Sequence, residues 1–182
     1  MGGLVGEIHF NVNINNSYSD SSVSGNNSVG GLVGLANDRS NITNSFSTGD
    51  VTGINTSSTG AFVGVNDGDY LFPSGEPAFI NNSFFYNHSG NPDVAIGLDV
   101  DGGNVVGISN LSYFYDNINS PFNDTWDTNV WNFTGSSLPF LNSQKNPLSV
   151  TSYLVISEST ASLFPFGGVL VSLMLVLGFL MF

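Results

Sequence analysis

Gly-Gly-Leu-Val-Gly at residues 2–6 recurs unchanged at 30–34 and, in the degraded form Gly-Ala-Phe-Val-Gly, at 60–64. Residues 2–25 align with residues 30–53 without a gap, so that every matched pair is 28 residues apart. A short glycine-rich unit that recurs at a fixed period is typical of stacked-repeat proteins. In such proteins a single unit cannot bury its apolar side alone, and neighbouring units bury it for each other.

Inside each repeat, apolar residues alternate with polar ones, which is the pattern of a β-strand with one buried face. Stacked repeats would place equivalent side chains above one another in ladders. Three ladders are expected: the aromatic residues Tyr18, Phe46 and Phe84; the apolar residues Leu4, Leu32 and Phe62; and the amides of Asn16, Asn44 and Asn82. We interpret the amide ladder as a structural device that satisfies backbone groups between repeats.

The later repeats depart from the first two. The third carries extra residues at 66–79, which hold Gly68, Pro73, Gly75 and Pro77 and are typical of a surface loop. A fourth, decayed copy is expected to run through Gly103–Gly107 and on through Asn110–Tyr115. The pattern thus predicts units at about 2–29, 30–59 and 60–101, and a degenerate unit at 102–141.

These repeats resemble the GLUG-motif repeats of bacterial and archaeal surface proteins. The resemblance lies in Gly30–Gly34, the following Ile-x-Asn-Ser-aromatic-Ser, and the closing sequence Asp50–Gly53. In addition, Trp126–Trp131 followed by Leu138–Leu141 resembles the segment that commonly closes such arrays. The resemblance implies an all-β, β-solenoid or β-helix-like stack of repeats over residues 2–141, in adhesin-like or surface-displayed proteins that often carry other modules.

The C-terminal part differs from the repeats. Residues 142–162 are rich in Ser and Thr and are typical of a stalk. Residues 163–182 form a run of twenty residues without a charge. A helix of that length spans about 30 Å, the thickness of a bilayer's hydrocarbon core. The run therefore predicts one C-terminal transmembrane helix that anchors the chain in a membrane. The alternative is a signal that a sorting or lipid-anchor transferase removes.

Composition excludes several classes of partner. Two Lys or Arg residues stand against 14 Asp or Glu residues, which gives a net charge of −12 at pH 7. Without a basic surface, binding of nucleic acid is excluded as a default and docking on anionic lipid is disfavoured. The chain has no cysteine, so disulfides and thiolate metal sites are excluded as well.

Catalytic motifs are absent from the sequence. It contains no nucleophile elbow, no Walker A loop and no zinc-binding pair of histidines, and His9 and His88 are isolated from each other. We therefore expect no enzyme activity and no cofactor. Calcium is the one candidate ion, because hard oxygen ligands stand beside flexible glycines at Asp67, Asp69, Asp99 and Asp101. Ordinary Asp-Gly turns are the alternative, and they are favoured because neither segment completes an EF-hand loop.

Asn-x-Ser/Thr sequons make the chain a candidate glycoprotein. They occur at Asn15, Asn26, Asn41, Asn55, Asn81, Asn87, Asn110, Asn123 and Asn132. A sequon carries a glycan only in a compartment that supplies the enzymes. Among the nine, those expected on turns (Asn26, Asn55 and Asn87) are better acceptors than those within strands.

Together these patterns favour a non-catalytic cell-surface protein, adhesin-like or envelope-structural, with the repeats outside and the C-terminal helix in the membrane. Its expected partners are the membrane, through residues 163–182, and other surface proteins, glycans or copies of itself. Two alternatives stay open. In the first alternative, the chain is a non-catalytic repeat fragment of a larger surface peptidase or glycosidase, which fits its opening inside a repeat without a signal peptide. Otherwise it is a self-stacking subunit whose uncapped first repeat pairs with another chain.

Overall fold

The computed structural model describes residues 1–68, 76–100, 103–118, 122 and 125–144. Within these residues the chain is built of β-strands and three short 3-10 turns, and no α-helix is present. The fold class is therefore all-β across the described part of the chain. The predicted membrane segment at 163–182 and most of the predicted stalk at 142–162 lie outside the described residues. Of the residues described, none forms a helix long and apolar enough to cross a bilayer.

Seventeen strands of two to five residues follow one another in the described residues. In order they are β1 (Val5–Ile8), β2 (Asn13–Asn15), β3 (Tyr18–Ser19), β4 (Val23–Gly25), β5 (Val29–Gly30), β6 (Val33–Asn37), β7 (Asn41–Thr43), β8 (Phe46–Ser47), β9 (Val51–Gly53), β10 (Thr59–Gly60), β11 (Val63–Asp67), β12 (Phe79–Asn81), β13 (Ser83–Tyr86), β14 (Ile96–Asp99), β15 (Val105–Ile108), β16 (Trp131–Asn132) and β17 (Phe140–Leu141). The 3-10 turns span Thr56–Ser58, Leu111–Phe114 and Asn142–Gln144.

Parallel sheets join the first two repeats in the register that the 28-residue period predicts, and the later strands pair in the same order at longer intervals. The strands that follow the glycine pair form the sheet β1-β6-β11-β14, in which Val5 pairs with Val33, Val33 with Val63, and Val63 with Ile96. A second sheet, β2-β7-β12, aligns the buried isoleucines Ile14, Ile42 and Ile80. Equivalent residues of successive repeats therefore occupy equivalent positions in neighbouring strands.

The aromatic ladder is confirmed. In the sheet β3-β8-β13-β15, Tyr18 pairs with Phe46, Phe46 with Phe84, and Phe84 with Val106. The rings of Tyr18 and Phe46 are stacked, with centroids 5.2 Å apart. Backbone hydrogen bonds also join Leu4, Leu32 and Phe62 as expected. The amide of Leu4 donates to the carbonyl of Leu32, and the amide of Leu32 donates to the carbonyl of Phe62.

Two apolar clusters lie on opposite faces of these short strands. The first is enclosed by the sheets and is made of aliphatic residues, Phe62 and Phe85. The second contains Phe46 and Phe84 and lies on the other face, where Phe114, Phe122, Trp126 and Trp131 cover it. The aromatic ladder thus points away from the enclosed core and toward the segment that follows the last parallel strand. Trp131 lies 6.0 Å from Tyr18 and 5.7 Å from Phe46 between ring centroids, so this segment reaches back to the first repeat.

The Ile-x-Asn-Ser sequence forms a corner, and this differs from the single alternating strand that the pattern predicts. Asn16, Asn44 and Asn82 adopt φ values of 50°, 49° and 47°, and each separates two short strands. Asn tolerates this left-handed conformation better than most residues. At the next position, the hydroxyl of Ser17, Ser45 or Ser83 donates to the carbonyl two residues earlier, at 3.0, 2.8 and 2.9 Å. The amide of Asn82 donates to Asn44, but the amide of Asn44 donates to Oδ1 of Asn15 at 3.3 Å and not to Asn16. The expected amide ladder is therefore incomplete, and its positions form a row of backbone corners.

The repeated glycines serve close approach between strands. An added Cβ on Gly34 would lie 2.5 Å from the carbonyl oxygen of Gly6, a distance that real Cβ atoms do not reach. Gly6, at the same place in the first repeat, has open space where its Cβ would be. Among the described glycines, only Gly135 has positive φ. The left-handed positions of the repeats are thus taken by Asn, Asp and other side chains, while Gly supplies room.

The fourth level of the stack begins earlier in the chain than the sequence suggested. β14 (Ile96–Asp99) is the fourth strand of the first sheet, and Gly97 occupies the place of Gly64. Residues 103–107, which were expected to replace the glycine-rich segment, instead contribute to β15, which pairs with β13 in the sheet of the aromatic ladder. The reason is spacing along the chain. Each level needs a strand in the first sheet, then a corner, then a strand in the sheet of the aromatic ladder. Only the strand at 96–99 precedes β15 by enough residues to form that corner.

Candidate functional site

Polar side chains on the outer face of β2 and β7 hydrogen-bond across repeats. Nδ2 of Asn41 donates to Oδ1 of Asn13 at 2.8 Å, and the hydroxyl of Thr43 donates to Oδ1 of Asn15 at 3.0 Å. These groups satisfy one another along the stack. The face is uncharged and regular over the first two repeats, and it changes at the third.

At the third repeat, Phe79 takes the place of Asn13 and Asn41, and Asn81 takes the place of Asn15 and Thr43. Phe79 is 60% exposed. Two adjoining hollows of about 480 and 440 Å³ lie along this strand, β12, and both are lined by Asn81 and Asn104. Phe79 and Glu76 line the first hollow, and Thr125 lines the second. We call this pair of hollows the β12 groove.

His9 lies between two carboxylates from different repeats. Its Nε2 is 2.7 Å from Oε1 of Glu7, and its Nδ1 is 3.2 Å from Oδ2 of Asp38. Burial of the imidazole lowers the pKa of His9, but the hydrogen bonds and negative charges of Glu7 and Asp38 outweigh that effect and raise it above the usual value of 6.5. His9 is therefore a contact between the first and second repeats.

His88 makes a similar contact between the second and third repeats. Its ring stacks on Tyr86 at 4.5 Å, its Nδ1 accepts from the backbone of Gly90 at 3.1 Å, and its Nε2 lies 3.4 Å from Oδ1 of Asp50. The sequence shows these histidines as isolated residues. It contains no signal that pairs either one with a carboxylate of another repeat, because that pairing follows from the stack.

Of the four calcium candidates, two belong to the described residues and two do not. Asp69 and Asp101 lie outside the described residues. Asp99 acts within a turn: Oδ2 accepts from the backbone of Gly103 at 2.8 Å, and Oδ1 accepts from Nδ2 of Asn66 at 3.0 Å. Asp67 ends β11 opposite Asn37. Among the described residues, no three His, Cys, Asp or Glu side chains come together as a metal site.

The sequon asparagines differ in how their amides are used. Asn55 and Asn110 cap 3-10 turns, since their Oδ1 atoms accept from the amides of Ser57 and Ser112. Asn15 and Asn41 belong to the polar ladder described above, and Asn132 donates to Asn142 at 3.4 Å. Asn26 and Asn81 are exposed, Asn87 is half-buried, and Asn123 lies outside the described residues.

Asn66 is a buried residue of β11, although the sequence pattern placed it at the start of a surface loop. It is 1% exposed, its Oδ1 accepts from the backbone amide of Ala78 at 2.8 Å, and its Nδ2 donates to the carbonyl of Ala78 at 3.2 Å. One side chain thus joins the end of β11 to the residue just before β12. This bond fixes the point at which the chain returns from the third repeat's insertion to the β12 groove.

Comparison with known proteins gives one match. No curated protein and no solved structure matches the chain. The family model of the GLUG motif matches residues 25–52, which correspond in length to one repeat and contain β5 to β8. The match covers the second Gly-Gly-Leu-Val-Gly, the Asn44 corner and Phe46 of the aromatic ladder. The chain therefore contains the GLUG motif, as its repeat pattern indicates.

Proposed function

We propose that this chain is a non-catalytic surface-display protein, adhesin-like or envelope-structural, whose GLUG repeats form a short β-solenoid. The observation that carries the proposal is the in-register parallel pairing of successive repeats, up to four strands deep. Such a stack is a rigid scaffold in which each repeat presents the same outer positions to solvent. Scaffolds of this kind act through extended surfaces and loops, so binding suits them better than catalysis.

Charge and composition support display outside the cell. A net charge of −12 with two basic residues makes a strongly hydrated surface that repels anionic lipid. We propose that residues 163–182 span the membrane, that residues 142–162 form the stalk, and that the repeats face the outside. Glycans at exposed sequons such as Asn26 are part of the same proposal, in a host that glycosylates exported proteins.

The ionisable groups support a non-catalytic role. His9 and His88 each contact a carboxylate of a neighbouring repeat, so both have structural partners. Neither histidine lines the β12 groove. A general base must reach its substrate's proton within hydrogen-bond distance, and these two histidines contact carboxylates outside the groove instead.

Cell-surface labelling tests the proposal. The full chain and a variant that ends at residue 162 would each carry an export signal and an epitope tag before Met1. Both would be produced in an archaeal or bacterial host. We expect intact cells with the full chain to bind the tag antibody and to lose it on protease treatment. The shortened variant should appear in the medium. Retention of both forms inside the cell, or surface retention of the shortened form, would contradict the proposal.

A further inference from the structure

We propose that the β12 groove binds a neutral oligosaccharide. This inference rests on the proposed adhesin-like role and names the class of ligand for it. The groove offers two adjoining hollows of about 480 and 440 Å³, each within the size range of small-ligand sites. Two features of its lining, an exposed aromatic ring and a pair of amides, are those that recognise a sugar ring.

The aromatic ring is placed where the repeat pattern breaks. Positions equivalent to Phe79 are Asn in the first two repeats, and only at the groove does a phenyl ring take that place. Phe79 is 60% exposed although its side chain carries no polar atom, so its exposure to water costs free energy. The face of an aromatic ring carries partial negative charge and packs on the C–H bonds of a pyranose.

The amides supply the hydrogen bonds. In the first two repeats the outer polar side chains bond to one another, whereas in the described part of the chain the side chains of Asn81 and Asn104 make no hydrogen bond. Each amide has two donor hydrogens and an acceptor oxygen, which match the hydroxyls of a sugar. Because both residues line both hollows, a sugar ring on Phe79 would be followed by hydroxyls at Asn81 and Asn104.

Charge selects a neutral ligand. Among the described lining residues, Glu76 is the one charged side chain, and its Oε2 lies 3.5 Å from Nε of Arg39. Sugars with carboxylate or sulfate groups would enter an acidic protein without a cation in the groove to pair with them. Neutral hexose polymers carry no such penalty.

An extended peptide is the competing ligand, and the backbone argues against it. A peptide would add to the outer edge of β12 by main-chain hydrogen bonds. That edge is already in use, because the amide of Asn104 donates to the carbonyl of Ile80 at 3.0 Å, midway along the strand. The side chains of Phe79 and Asn81 flank this bond and remain accessible.

Binding by the purified full chain in detergent tests the inference. The probes are maltohexaose, cellohexaose and mannohexaose, with polygalacturonate as an acidic control, measured by calorimetry and by saturation-transfer NMR. We expect at least one neutral probe to bind and the acidic control not to bind. Phe79→Ala should weaken binding about tenfold, or about 1.4 kcal/mol, and Asn81→Ala with Asn104→Ala should weaken it by a similar factor.

Phe10→Ala is the matched control, because Phe10 is 59% exposed and lies in the first repeat, away from the groove. We expect it to leave binding unchanged, and Phe79→Tyr to retain binding because it keeps the ring. Failure of all three neutral probes, or equal binding by Phe79→Ala and wild type, would overturn the inference. So would Phe79-dependent binding of reduced, carboxymethylated lactalbumin, an unfolded polypeptide, in their place. Each of these results would leave the surface-labelling test of the proposed function unaffected.

Discussion

The side-chain amide of Asn82 donates a 2.6 Å hydrogen bond to the side-chain oxygen of Asn44, and both residues hold left-handed backbone conformations at the same corner of successive repeats. One residue type therefore meets two requirements at this position. It accepts a φ near 50°, and it links its repeat to the next through its side chain. The two requirements can be separated by substitution.

Asn44→Ala should lower the free energy of unfolding by about 2 kcal/mol, because Ala is strained at φ 49° and cannot bond to Asn82. Asn44→Gly avoids the strain but still lacks the bond to Asn82, so we expect it to cost about half as much free energy. Urea unfolding of the full chain in detergent, followed by the fluorescence of Trp126 and Trp131, measures both. Equal losses in the two variants would show that conformation contributes nothing at this corner.

Gly34→Ala should destabilise the chain by about 3 kcal/mol, because the new methyl would overlap the carbonyl oxygen of Gly6 and force two strands apart. Gly6→Ala is the matched control, since the same motif position in the first repeat has open space. We expect that variant to unfold within about 0.5 kcal/mol of wild type. The two melting temperatures, measured by circular dichroism, give the comparison. If Gly34→Ala melts with wild type, the close approach is not a constraint.

Stability should fall slightly as the pH rises above 6.5. The raised pKa of His9 means that its charged form is stabilised in the folded chain, so this contribution is complete below pH 6.5 and is lost as the pH rises through the higher folded value. Because solvent reaches the ion pairs, we expect the loss to be less than about 1 kcal/mol. NMR titration of His9 should give a pKa above 6.5, and Asp38→Asn should lower it. A His9 pKa at or below 6.5 would refute this assignment.

Asn66→Ala should cost about 3 kcal/mol, because it leaves the buried amide and carbonyl of Ala78 without partners. Asn26→Ala, at an exposed bend, serves as the control and should change stability by less than about 0.5 kcal/mol. Urea titrations at one pH compare the two variants. A loss below that of the control would mean that other groups satisfy Ala78.

Much of the fold could be predicted because the period appears directly in the residues. A 28-residue offset pairs Val5 with Val33 and Tyr18 with Phe46, and parallel strands in the structure reproduce both pairs. The period could not reveal the corner at Asn16, because alternation of Ile14, Asn16 and Tyr18 continues through a left-handed residue without changing the pattern. Only backbone dihedrals distinguish a bend from a straight strand there.

The fourth level and the groove were harder to predict for different reasons. Around Gly97 the motif has decayed to Val94-Ala95-Ile96-Gly97, so that a glycine and apolar neighbours are all that remain of it. The groove depends on Asn81 and Asn104, which lie 23 residues apart and belong to different levels of the stack. Phe79 itself carries a sequence signal, because it replaces Asn at an outer position once the third repeat is aligned through Ile80.

The indole of Trp131 donates a 3.3 Å hydrogen bond to the side chain of Asn16, which precedes it by 115 residues. In a simple array each unit touches only its neighbours, and the terminal unit can unravel while the rest stays folded. Here the first repeat cannot detach until the C-terminal aromatic segment releases it. We therefore expect the array to unfold cooperatively, as one block, and to resist a pulling force applied between its two ends.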